Sequence, residues 1–551
     1  MTTTVFHNGA VFTADAARSW ASAVAVVDGR IAAIGGSDAV TPFVRRADDV
    51  VDLDGRALWP AFHDAHAHPV NGGLERARCD LSGDSSAAGY TARIAEYLGS
   101  RPDREWVLGG GWSMEAFPGG RPTREALDAV TGDRLVYLPN RDHHSAWVNS
   151  RTLLLAGIDA STPDPADGRI ERDSAGRPTG LLHEGAMDLV AARAPQPTQE
   201  EYDEGLREAQ HHLHALGVVG WQDAMVRVQE PGPTVHESYL RAQAAGWLTA
   251  HVAGALWWDR DCDLTGVADQ VAALAQRRDE ARVAGSRYRT ESVKIMQDGV
   301  VETFTAALLE PYLDRCGHRT ANDGLSFLPV DVLDSATAAL DAAGFGVHFH
   351  ALGDRAVREV LDALTNARRL NGATGNRHHL AHLQVVDPAD VPRFARLGAT
   401  ANLQALWACH EPQMDELSIP FLGSPRAERQ YPFGDLHRAG ATLAMGSDWP
   451  VSSPDPLAAL HVAVNRTAPE TPAAAPFLLE QALSLPVALA AYTAGSAHID
   501  GIDDRSGSIT VGKDADLVVL DRNPFAAPPC EIGEARVQRT YVAGRLVHAA
   551  G

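Results

Sequence analysis

The chain has 551 residues, with 71 Asp plus Glu against 48 Lys plus Arg and a formal net charge of -23, which argues against nucleic acid or an anionic membrane as the main partner. Five dispersed cysteines (Cys79, Cys262, Cys316, Cys409, Cys530) form no CxxC pair, which argues against a disulfide framework and a thiolate zinc site. With no apolar signal core at the start and no apolar run of about 18 residues, the expectation is a cytoplasmic protein acting on a small molecule, with no membrane segment.

The chain opens with VFHNGAVFTAD, SAVAVVDGRIAAIG and VVDLDGRALWP, short β-rich runs joined by Asn-Gly or Asp-Gly, a strong hairpin signal. It closes in the same manner, with GSITVGKDADLVVLD and RVQRTYVAGRLVH. Each end alone is too small for a sound core. The expectation is one composite β-sandwich built from residues 1–58 and 505–551, with a large domain, 59–504, inserted between them.

That middle region alternates helical stretches with apolar strands whose C-terminal ends are polar. The clearest helix is TQEEYDEGLREAQHHLHALG. Thr198 and Glu201 form a capping box, Tyr202, Leu206, Ala209, Leu213 and Leu216 share one face, and Gly217 is a plausible stop. Eight such strands are found in chain order: ALWPAFHDAHAH, VVGWQDA, TAHVAGAL, SVKIMQD, GVHFHAL, HHLAHLQV, ATANLQAL and TLAMGSD. Strands alternating with helices imply parallel pairing, and eight of them suggest an α/β fold of the (β/α)8 barrel type. The gap over 70–197 is too long for one connection and is expected to form an insertion subdomain over the barrel mouth.

In such a barrel, reactive groups sit at the C-terminal ends of strands. His66 and His68, at i and i+2, point to one side of a strand, where they bind a metal or form a hydrogen-bonded pair; Asp64 shares their face. His348 and His350 share a face on the fifth strand, and His350 is nearer its end. His382 is the best placed of His378, His379 and His382. Asp448 follows the eighth apolar run as a ligand, a base or a turn residue. His211, His212 and His214 read as the polar face of the Thr198 helix. His143 and His144 lie in the insertion, with His144 the candidate for the substrate pocket, and Trp112, Trp407 and Trp449 are candidates for its apolar wall. Imidazole and carboxylate donors without thiolate suit a divalent metal, zinc by default. Five ligands around one ion leave little room for water, so two metals are expected.

Lys294 interrupts the strand SVKIMQDGV. A buried lysine loses its charge, and a neutral amine can add carbon dioxide to become a carbamate able to bridge two cations; the alternative is an ion pair with Asp298 or another barrel carboxylate.

VDGRIAAIG, DGRALWPAFHDAHAHP, SVKIMQDGV, VHFHALGDRAV, GSDWPV and the closing GSITVGKDADLVVLD together resemble the amidohydrolase superfamily. VKIMQDGVVE and the insertion bearing WVNSRTL resemble its branch of N-substituted formamide deformylases. The resemblance implies His66, His68 and Asp448 at one metal, His350 and His382 at the other, a carboxylated Lys294 between them, and a homodimer. It departs from the pattern at Ala381, where relatives often carry Glu. The activity implied is hydrolysis of a C–N amide bond, with Asp448 moving the proton and a neutral His144 helping to hold the carbonyl oxygen. Hydrolysis of a cyclic amide, lactone or ester, a non-hydrolytic isomerase or decarboxylase, and a binding protein without catalysis are the other readings.

Overall fold

The computed structural model describes residues 2–228, 232–283 and 286–550. Its largest sheet holds eight strands: β1 (Phe62–Ala67), β2 (Val218–Val226), β3 (His251–Trp257), β4 (Tyr288–Met296), β5 (Gly346–Ala351), β6 (His379–His382), β7 (Thr400–Leu403) and β8 (Leu443–Met445). They pair in sequence order, and every pairing is parallel. Past the last strand, the Asp448 N–H donates to the His66 carbonyl at 2.6 Å and the His68 N–H to the Trp449 carbonyl at 2.7 Å. Those bonds bring the two edges together, and the sheet is a nearly closed parallel barrel.

Strands of such a barrel are covered by helices outside and by packed side chains inside, so they read as continuous apolar runs. β1, β3 and β5 are buried along their whole length. The Gln199–Ala215 helix begins with the expected capping box: Thr198 Oγ1 accepts from the Glu201 N–H at 3.2 Å, and Glu201 Oε2 accepts from the Thr198 N–H at 2.9 Å. Leu206, Ala209 and Leu213 of this helix enter the main core. The polar-face reading of its histidines fails at His214, which is buried. Its Nδ1 lies 2.9 Å from the Val218 carbonyl and its Nε2 2.8 Å from Thr249 Oγ1. The imidazole serves polar groups at the start of β2 and just before β3 that the helix would otherwise cover. His212 is half-buried with its ring 5.3 Å from that of Trp449, and His211 alone of the three is exposed.

His68 leads directly into the Pro69–Ala77 helix, which crosses the Gln199–Ala215 helix where two glycines meet. A Cβ on Gly73 would lie 1.9 Å from the Gly205 carbonyl oxygen. Gly73→Ala is therefore expected to cost about 1–3 kcal/mol through overpacking. A lower thermal midpoint is the readout, and an unchanged one would mean the helices can part without loss.

Both chain ends contribute to a six-stranded sheet in which Ala57–Pro60 pairs with Ala10–Phe12 on one side and Leu517–Leu520 on the other. A four-stranded sheet of N-terminal strands faces it, and Phe6, Val24, Leu58, Leu517 and Tyr541 share one apolar cluster. Ala57–Pro60 runs on into β1, so the terminal sheet feeds the barrel directly. A further six-stranded sheet, from Cys79–Asp80 to Pro178–Glu184, lies within the long connection between β1 and β2. Among the described residues, no helix is long and apolar enough to cross a membrane.

Candidate active site

The C-terminal ends of the strands converge on Asp448. Its Oδ1 lies 3.3 Å from His66 Nε2 and 3.1 Å from His68 Nε2, and its Oδ2 lies 3.9 Å from His382 Nδ1. His66, His382 and Asp448 each offer one donor atom within 4.8 Å of the others. The His350 ring centre is 4.4 Å from that of His382, and Lys294 Nζ is 3.5 Å from His66 Nε2. Of the positions read as ligands, all six thus come together. His382 (φ 80°) and Asp448 (φ 59°) adopt left-handed backbone, a strained choice for non-glycine residues that gathers at functional sites.

A ring of buried groups aims these donors. His348 Nε2 lies 2.9 Å from His66 Nδ1, which leaves His66 Nε2 for the centre. His348 therefore supports a donor, whereas His350, one step further along β5, reaches the cavity itself. Asp298 does not pair with Lys294. It faces His350 Nδ1 at 3.1 Å and accepts from the N–H groups of Leu352, Gly353 and Ala307 at 3.0, 2.8 and 3.0 Å. Asp64 accepts from Ser447 Oγ at 2.5 Å and from the Ser447 and His66 N–H groups at 2.9 and 3.1 Å, tying β1 to the loop after β8.

Burial sets the charges. It pushes His66 down to about 3 and holds His348, His350 and His382 well below the usual imidazole range. It pushes Lys294 down to about 7. Burial alone would raise the Asp448 carboxyl, but the histidines around it keep it ionised well below the usual carboxylate range. Neutral imidazoles and one carboxylate thus face each other at close range. Asp448 Oδ1 and His382 Nδ1 are both buried without a hydrogen-bond partner. A carboxylate and several ring nitrogens converging on one buried spot suit a cation, so this donor set fits a divalent metal.

His144 enters the same cavity from the insertion, but not as a neutral ring. Burial would depress it, yet Glu184 Oε1 at 2.8 Å from its Nδ1 raises it to about 9. Thr305 Oγ1 donates to that same carboxylate oxygen at 2.8 Å. Because the folded value lies above the ordinary 6.5, the stabilisation is complete below pH 6.5 and lost as pH rises through about 9. In metal-free protein, the gap in thermal midpoint between wild type and His144→Gln should therefore shrink across that window. A gap independent of pH would contradict a charged His144.

The cavity over this centre holds about 450 Å³. Tyr137, Met225, Trp257, Arg260 and Met296 line it, all missed by sequence reading. Glu184 was missed too, although a glutamate ending the apolar run GLLHE is a local hint of a buried carboxylate. The three tryptophans lie elsewhere. Trp112 is fully buried in the insertion core, its Nε1 donating to the Leu138 carbonyl at 2.8 Å and its ring against Phe117 and Trp147. Trp407 stacks on the outer face of His382, with ring centres 5.4 Å apart. Trp449 follows the left-handed turn at Asp448, and with Trp407 it lines an adjoining cavity instead.

The sequence model described as the amidohydrolase family matches residues 49–548. The chain belongs to the amidohydrolase family. Among its relatives, Protein LONG AFTER FAR-RED 3 of Arabidopsis thaliana is 30% identical over 98% of this chain and 91% of its own length. The N-substituted formamide deformylase of Arthrobacter pascens is 29% identical over 98% of this chain and 97% of its own. A solved structure, an uncharacterized metal-dependent hydrolase from Pyrococcus horikoshii OT3, aligns with a TM-score of 0.73 at 24% identity, over 96% of this chain and 99% of that one. At that identity the structural likeness speaks for the fold. The superfamily resemblance seen in the motifs therefore holds, and this amidohydrolase carries its buried donor cluster at the mouth of the shared barrel.

Proposed function

We propose that this amidohydrolase hydrolyses the C–N bond of a small-molecule amide, and that an N-substituted formamide, yielding amine and formate, is the substrate type. The observation that carries the reading is the convergence of buried imidazole nitrogens on the Asp448 carboxylate at the barrel mouth. The 29% identity to a relative named as a formamide deformylase supports the formamide choice. His66, His68 and Asp448 would hold one divalent ion and His350 and His382 a second, with a Lys294 carbamate between them; nitrogen and oxygen donors favour zinc. Such ions, when bound, supply Lewis acidity toward water and toward the substrate carbonyl.

The chain's own groups do the rest. Asp448 accepts the proton of the attacking water and returns it to the departing nitrogen, first as base and then as acid. The His144 cation, held by Glu184, donates a hydrogen bond to the carbonyl oxygen as charge develops there. Asp298 fixes the ring of His350 through Nδ1 and leaves Nε2 for the centre.

Metal content by mass spectrometry, on protein purified with zinc and bicarbonate, tests the reading together with amine release from N-benzylformamide. The expected result is close to two ions per chain and free benzylamine. Full metal content with no amine from any of a panel of formamides and other amides would overturn it. Release from lactones or cyclic amides alone would keep the metal site and move the substrate.

A further inference from the structure

Beside the cavity over the metal centre lies a second one of about 430 Å³. Asp142 and Val451 line both, so the two chambers share a wall. The second is built mainly from segments after β4, β7 and β8, and two kinds of side chain dominate it. Trp407, Trp449 and Tyr431 supply aromatic surface, and Glu302 and Glu411 supply carboxyl groups. Trp407 is the ring stacked on His382, so this chamber backs directly onto the proposed metal site.

Its charges do not balance. Arg141 lies 3.8 Å from Glu115 and donates to Gln413 at 3.4 Å, and Arg76 is paired with Glu208 at 3.0 Å. Arg76 is thus engaged by Glu208, while Arg141 offsets only part of the Glu411 charge, without reaching ion-pair distance. Glu302 accepts from Ser418 Oγ at 2.6 Å. Among the described residues, neither Glu302 nor Glu411 has a basic nitrogen within ion-pair distance. Burial raises both carboxyls, Glu411 to about 7. Carboxyl groups without an ion-pair partner beside aromatic faces match one ligand chemistry: an organic cation whose charge meets the carboxylates and whose apolar part lies on the rings.

We infer that this second chamber binds an alkyl- or arylammonium, the amine half produced when the amide is cut. The inference rests on the hydrolytic reading only for its place in the reaction. In that reaction the C–N bond breaks, the water oxygen joins the acyl carbon, and the nitrogen takes one proton from Asp448 and a second from solvent. The product is a cation formed one wall away from an aromatic pocket whose two raised carboxyls ionise more readily once a cation sits beside them. The chamber therefore receives the released amine by its charge and its apolar part.

Calorimetric titration of the metal-loaded full chain with benzylammonium and with neutral benzyl alcohol, at neutral pH, tests this without any turnover. Wild type should bind the ammonium at least about tenfold more tightly, the factor that ~1.4 kcal/mol of cation recognition supplies. In the Glu302→Gln, Glu411→Gln double variant that preference should fall to about threefold or less. Should the pair not fold, Glu411→Gln alone, on a partly exposed segment, should still reduce it. Equal affinity for alcohol and ammonium in wild type would overturn the inference. So would a preference that survives the substitutions, since the cation would then sit elsewhere. Ammonium preference without amide hydrolysis would sink only the hydrolytic reading, and hydrolysis without ammonium preference would sink only the chamber.

Discussion

Asp448→Asn should lower kcat on any amide substrate by about 10³-fold or more, because it removes a proton acceptor and a charged donor at once. The asparagine keeps the shape of the side chain, so the fold should persist. The backbone bond from residue 448 to the His66 carbonyl does not depend on the side chain. What disappears is the negative charge that three imidazoles surround at 3.1 to 3.9 Å. Metal content should fall with it, since a neutral amide oxygen holds a divalent ion less well than a carboxylate. Retained metal with lost turnover would assign Asp448 mainly to proton transfer. Unchanged turnover would remove it from the reaction altogether and favour a protein that binds without catalysis.

Lys294→Met should be as damaging to turnover, about 10³-fold, while leaving stability unchanged or improved. The two effects have different causes. The Lys294 amine is 3% exposed and has no carboxylate in ion-pair range among the described residues, so folding bears its desolvation without the return of a salt bridge. Methionine fills the same space with no charge to bury, and Asp298 keeps its partners because they are His350 and three backbone N–H groups. If the amine carries a carbamate, the variant should also lose metal, and wild type should show a labile carbon signal after incubation with isotope-labelled bicarbonate. Wild type with no such signal and a variant with full metal would leave Lys294 as a buried amine that tunes His66. A strongly destabilised variant would reveal a pairing that the geometry does not contain.

Much of the barrel was legible because parallel strands buried on both faces must read as apolar runs, and a polar end on such a run is a local signal. His66 and His68 were visible by their spacing, and Asp448 by its place after an apolar run. Depth was harder to read. His348 and His350 share a face, and only their height along β5 separates a residue that supports His66 from one that reaches the cavity. Trp112 was misplaced because a tryptophan in a turn-rich segment looks the same whether it fills a core or lines a pocket. His214 was misplaced because helical periodicity records one face and says nothing of the strand start beneath it.

The sequence by itself determined an acidic α/β protein with nitrogen and oxygen donors at its strand ends, because hydrophobic period and residue chemistry are local properties, whereas the amidohydrolase type came from the resemblance of its motifs. The tertiary structure decided which groups share charge. His144 and Glu184 are 40 positions apart and meet at 2.8 Å, which makes the histidine a cation. Asp298 turned from Lys294 to His350, and Trp407 and Trp449 turned from the cavity over the donor cluster to the chamber beside it. Such pairings depend on how loops from different strands pack at the barrel mouth, and pKa values follow burial and neighbours that chain order does not encode.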